Sequence, residues 1–266
     1  MKDFPQELVD EVIGRLFDIV EKDNRWQGSS RRFCPGWHGI SRYSLVSRAW
    51  VSPTQKHHFN HLHLDSPSAT NRWRVRIPFD PTGVSRHVRK LVLGDLDLSD
   101  FEGFEAYMRA FIQVESLTVI DCTGVSLYVT MEWFLPMKSS MVELQVGELS
   151  ATPLTITSLL AALPLLNCVE IYELRQSDNE TTPPATTRIP FFEGANRLTL
   201  CSFDNRSCPE GLLDWIPPSA RFGHLDIDTE CALHHPDLVN QWLASSCETL
   251  TNLTIRWGEP CMCRPK

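Results

Sequence analysis

One pattern, apolar-x-x-apolar-x-apolar, returns eight times along the 266 residues and limits the fold more than any other feature. It reads Phe59/Leu62/Leu64, Val88/Leu91/Leu93, Val114/Leu117/Val119, Met141/Leu144/Val146, Leu166/Val169/Ile171, Ala195/Leu198/Leu200, Phe222/Leu225/Ile227 and Leu250/Leu253/Ile255. The middle residues are separated by 29, 26, 27, 25, 29, 27 and 28 positions. The last two apolar residues of each unit are two apart, so they share one face of a short strand. The first sits at the turn leading into that strand. The remaining residues of each unit must bring the chain back beside the strand just made. Ser99–Val114, Thr155–Leu163 and Pro236–Leu250 carry apolar residues at helical spacing and are expected to be helices. A strand, a turn and a helix repeated in parallel predict an α/β right-handed solenoid of about eight βα units. A Rossmann-like sheet or a (β/α)8 barrel would suit the same period. Strands with half-alternating rather than continuous apolar runs weigh against the barrel.

The units resemble leucine-rich repeats, whose L-x-x-L-x-L core they share over about residues 59–257, irregularly, with Val, Ile and Ala replacing several leucines. The Pro/Thr-rich stretch 176–188 is expected to be a mobile loop.

The first 58 residues are organised differently, which sets a boundary between a helical segment, 1–58, and the repeats, 59–260. Pro5 and Glu7 suit a helix's first turn, and Leu8, Val9, Val12, Ile13, Leu16 and Val20 follow as one apolar stripe. A second stripe, Leu45, Val46, Ala49 and Trp50, is expected to stop at Ser52-Pro53. Between them lies a basic, Gly- and aromatic-containing loop, 23–44. Phe4-Pro5-x-Glu7-Leu8 through Leu16, with Ser44-Leu45-Val46-Ser47-Arg48-Ala49-Trp50, resembles an F-box, with Phe4 in place of the usual Leu and a longer interhelical segment.

That resemblance implies a substrate-recognition adaptor of a Skp1–cullin–F-box ubiquitin ligase. Phe4, Pro5, Leu8, Val9, Ile13, Leu16, Leu45, Val46 and Trp50 would bind a Skp1-like subunit or form the small F-box core. The solenoid would hold an unknown target protein. Target contacts are expected on the concave strand face, at Glu143, Gln145, Glu170, Arg197, Thr199, His224, Asp226 and Asp228. No catalytic residue, cofactor or metal is implied. The alternative is a protein-interaction scaffold with a degenerate F-box and no ligase role.

Composition narrows the remaining classes. Lys and Arg total 25 against 33 Asp and Glu, a net charge of −8, which argues against a general nucleic-acid binder. The basic stretch 71–90 is followed by the acidic stretch 95–115, so internal pairing or an acidic protein partner is the simpler reading. No apolar run reaches the ~18 residues of a membrane span, and no apolar segment follows the start, so neither a signal peptide nor a membrane is expected. Nine cysteines without a C-x-x-C pair fit a reducing compartment, cytoplasmic or nuclear. The histidines at 57, 58, 61 and 63 lack ligand spacing, and P-loop, H-E-x-x-H, G-x-S-x-G and G-x-G-x-x-G motifs are absent, leaving a βα-repeat enzyme as the least supported class.

Overall fold

A computed structural model describes residues 5–25, 51, 53, 54, 56, 57, 59–64, 84–94, 96, 108–120, 122, 134–147, 150–151, 153–172, 175–176, 190–193, 196–201, 216–228 and 235–256. Among the described residues the strands are β1 (His61–Leu64), β2 (Lys90–Gly94), β3 (Ser116–Ile120), β4 (Glu143–Gly147), β5 (Ser150–Ala151), β6 (Cys168–Tyr172), β7 (Arg175–Gln176), β8 (Asn196–Cys201), β9 (Phe222–Asp228) and β10 (Asn252–Arg256). Eight form one open sheet in the order β1-β2-β3-β4-β6-β8-β9-β10, and every neighbouring pair is parallel. The order never reverses, as a doubly wound sheet would require, and β1 and β10 stand at opposite edges rather than closing a barrel. The fold is therefore α/β with an open parallel sheet.

The register follows the apolar pattern residue for residue. Leu62, Leu91, Leu117, Leu144, Val169, Leu198, Leu225 and Leu253 pair across successive strands as one row. In the first seven strands of the sheet this row and the row two residues later are at most 4% exposed. Val88, Val114, Met141, Leu166 and Phe222 add a third buried row at the approach turns. A one-residue slip of any strand would turn both its strand rows to solvent, so burial fixes the register. The turns repeat as well. The carbonyls of Asn60, Arg89, Glu115 and Val142 each accept two backbone N–H groups from the next unit, at 2.7–3.1 Å. A chain that would otherwise bury unpaired carbonyls at each turn thus satisfies them with its own next unit.

Among the described residues, the return segments combine α-helices with 3-10 turns. α2 (Pro153–Ala162) and α3 (Pro236–Ser245) are α-helices, while Val84–His87, Leu135–Met137 and Pro190–Glu193 are single 3-10 turns. Ser99–Val114 does not continue as a helix through its described end. Met108 is helical, but turns follow at Arg109–Ala110 and Ile112–Gln113. The buried Phe111 and Val114 must be delivered to the core just before β3 begins, which a continuing helix would not do. α3 likewise ends at Ser245, because Ser246, Thr249 and Leu250 form the turn into β10. The pair β5–β7 makes a small second sheet that the repeat pattern does not announce.

The N-terminal helix, α1, spans Gln6–Arg25, so it runs through Asp23–Arg25, the start of the expected 23–44 loop. Val51, Pro53, Thr54, Lys56 and His57 are helical, beyond the stop expected at Ser52-Pro53. Proline fits a helix's first turn because its missing N–H has no intrahelical acceptor there, so it marks no end by itself. The rest of the 23–44 loop and the 177–188 stretch lie outside the described residues.

Candidate interaction surfaces

α1 divides into two apolar strips one residue apart. Val9 and Ile13 are buried in this chain, outside the contiguous core of the sheet. Leu8 and Val12, one helical turn from each other, are 45% and 40% exposed. Of the residues read as binding a Skp1-like partner or forming a small F-box core, Val9 and Ile13 lie on the inward side. Their strip is covered by this chain and has no area left for a second protein. Pro5 and Leu8 are exposed and Leu16 is half-buried, whereas Phe4, Leu45, Val46 and Trp50 lie outside the described residues. Val12 was not among the assigned residues. Its spacing of four from Leu8 is the signal that groups them. Beside this strip, Glu11 and Arg15 form an exposed ion pair at 2.6 Å, and Gln6 donates to Asp10 at 2.9 Å.

The face of the sheet turned away from the core carries the residues between the apolar rows. Thr118 Oγ1 donates to Gln145 Oε1 at 2.9 Å across β3 and β4. Arg197 reaches diagonally from β8 to Glu170 on β6 at 3.4 Å. Arg256 on β10 grips Asp226 on β9, with Nε 2.9 Å from Oδ1 and 3.1 Å from Oδ2 and with Nη2 on Oδ2. Arg256, absent from the target set read in the sequence, neutralises Asp226, one of the two acids in that set on β9. Thr199 and Asp226 are buried, so neither offers the open contact assigned to it. Thr199 lies in register between Glu170 and Asp226. Its Oγ1 has no hydrogen-bond partner among the described residues. Glu143, Arg197 and His224 are exposed, and Gln145 and Glu170 are half-buried. Asp228 is in register with Arg256 at the end of β9.

Cys168 lies between Glu143 and Arg197 in its row. Its Sγ stands 4.0 Å from Glu170 Oε1. Burial and the Glu170 carboxylate, opposed by Arg197 and aided by Glu143, push the thiol up to about 11. At pH 8 about one thiol in a thousand is then ionised. Iodoacetamide labelling of Cys168, followed by site-resolved mass spectrometry, is expected to be slow at pH 8 and to rise about tenfold per pH unit toward pH 10. Rapid labelling at pH 7 would contradict this environment. Among the described residues, no three His, Cys, Asp or Glu side chains gather as a metal site, and no helix is long and apolar enough to cross a membrane.

Comparison of the chain with protein-family models, with curated proteins and with solved structures finds no match.

Proposed function

We propose that the chain is a non-catalytic substrate-recognition adaptor of a Skp1–cullin–F-box ubiquitin ligase. In this reading 1–58 is an F-box that docks on a Skp1-like subunit, and the repeats form a leucine-rich-repeat-like right-handed solenoid that holds a target protein. The observation that carries it is the uncovered Leu8–Val12 strip on α1, beside a buried Val9–Ile13 strip that anchors the same helix to the chain. A helix built in this way is fixed from one side and presents apolar surface on another, which suits docking to a second subunit. The outer sheet face supports target binding with exposed Glu143, Arg197 and His224, all on rigid strands. Tethering a target beside the ligase's transfer machinery raises its effective concentration to the millimolar range and needs no chemistry in this chain. The reading carries with it a cytoplasmic or nuclear site of action.

The test is co-purification with Skp1 and a cullin. Leu8→Asp is expected to leave the thermal unfolding temperature of the isolated chain unchanged, because Leu8 is half exposed. It is expected to weaken Skp1 binding by about 100-fold, since an unpaired carboxylate would be buried in the interface at a cost on the order of 3 kcal/mol. Full-strength binding by Leu8→Asp, or a wild-type chain indifferent to Skp1, contradicts the adaptor reading.

A further inference from the structure

Where the chain passes from its helical start into the sheet, Lys56, His57, Asn60, His87 and Arg89 line a pocket of about 90 Å³. A water molecule needs roughly 10–15 Å³ of such space, so the pocket has room for several waters or one compact polyatomic ion, and not for a nucleotide. Its walls are fixed by the same bonds that stack the repeats. Asn60 is held through its carbonyl, which accepts the Arg89 and Lys90 N–H groups, each at 2.9 Å. The Arg89 guanidinium is braced through Nη1, 3.2 Å from the Gln113 carbonyl and 3.3 Å from Glu115. α1 passes within van der Waals reach of His57, since a Cβ at Gly14 would stand 3.9 Å from its Nε2.

The charge of the pocket runs against that of the whole chain. Lys56, Arg86 and Arg89 surround His87, with Glu115 on Arg89 as the acidic neighbour, in a protein whose net charge is −8. Burial first, and then those three cations, lower the His87 pKa, so the ring is neutral at pH 7. Arg86 Nε donates to His87 Nε2 at 3.2 Å, which leaves the ring's proton on Nδ1 as a donor. Two cationic side chains, an amide and two imidazoles thus line one small space, and no carboxylate is among them.

We propose that this pocket binds a tetrahedral oxyanion of the phosphate class, as the free ion or as the head of a small monoester. Lys56 and Arg89 supply its charged contacts, and Asn60 and His87 supply neutral N–H donors. The assignment does not depend on the adaptor reading, because it concerns a different surface and a different ligand.

Calorimetric titration of the full chain with inorganic phosphate and separately with O-phosphoserine, at ionic strength matched with chloride, tests it. Binding of either is expected. Tighter binding of phosphoserine assigns the pocket to an ester head, and tighter binding of phosphate assigns it to the free ion. Lys56→Gln, at an exposed position, is expected to weaken binding about tenfold without unfolding the chain. Lys138→Gln, an exposed lysine elsewhere, is expected to leave binding unchanged. The His87 ring, followed by NMR, is expected to titrate at higher pH in phosphate than in chloride, because the anion offsets Lys56, Arg86 and Arg89. Absence of binding up to about 10 mM, equal binding by Lys56→Gln, or an equal loss in Lys138→Gln overturns the proposal.

Discussion

Trp242→Ala is expected to destabilise the chain by about 3–5 kcal/mol, a large part of the 5–15 kcal/mol that separates a typical domain from its unfolded state. Trp242 is fully buried on α3 and meets Phe222 edge-to-face, with centroids 6.2 Å apart at 83°. Phe222 meets Phe192 at 6.1 Å and 90°, and Phe192 meets Phe191 at 5.3 Å and 76°. One aromatic chain therefore ties the turn before β8, the start of β9 and α3 together, and removing its terminal ring opens a cavity that three elements share. The indole Nε1 is buried and has no partner among the described residues. Trp242→Phe keeps an edge-to-face ring and deletes that N–H, so a cost below about 1.5 kcal/mol is expected. Urea unfolding of the two variants checks both figures. A Phe variant as unstable as the Ala variant would mean that the packing of the whole indole, which a single ring does not refill, is the contribution that matters.

Leu117→Ala is expected to cost about 2–5 kcal/mol, while Leu253→Ala, at the same position of the repeat, costs less than about 1 kcal/mol. Both residues belong to the middle row. Leu117 is fully buried between β2 and β4, whereas Leu253 is 42% exposed on the edge strand β10, where Ile255 is 43% exposed. The sequence gives the two positions the same letter and the same neighbours in the pattern. Only the presence of a strand on the far side distinguishes them. Equal costs in denaturant titrations would show that β10 is covered in solution as the inner strands are.

These cases mark where sequence reading succeeds and where it stops. The row Leu62 to Leu253 was legible because side-chain alternation and a steady period each specify the same register. The buried half of α1 was not legible. Leu8, Val9, Val12 and Ile13 all belong to one apolar stripe, and composition does not say which edge of a stripe the chain covers. The helices of the return segments were legible for α2 and α3 but not after Met108, where apolar spacing suited to a helix serves a turn that carries Phe111 and Val114 inward. The polar face was legible as polar. The burial of Asp226 and its pairing with Arg256 were not, because that contact joins residues 30 positions apart through a diagonal that exists only once the strands are registered. The small pocket lay partly within the basic stretch 71–90, but His57 and Asn60 join it only through the first strand pairing.

The most direct test of the stacked, single-register sheet is native-state hydrogen exchange resolved by residue. The apolar rows of β2, β3, β4 and β9 are expected to hold the slowest amides, with Leu91, Leu117, Leu144 and Leu225 among them, and with the amides of β10 and the outer turn of α1 exchanging much faster. Exchange of Leu117 and Leu144 as fast as that of Leu253 would contradict the ladder on which the account rests.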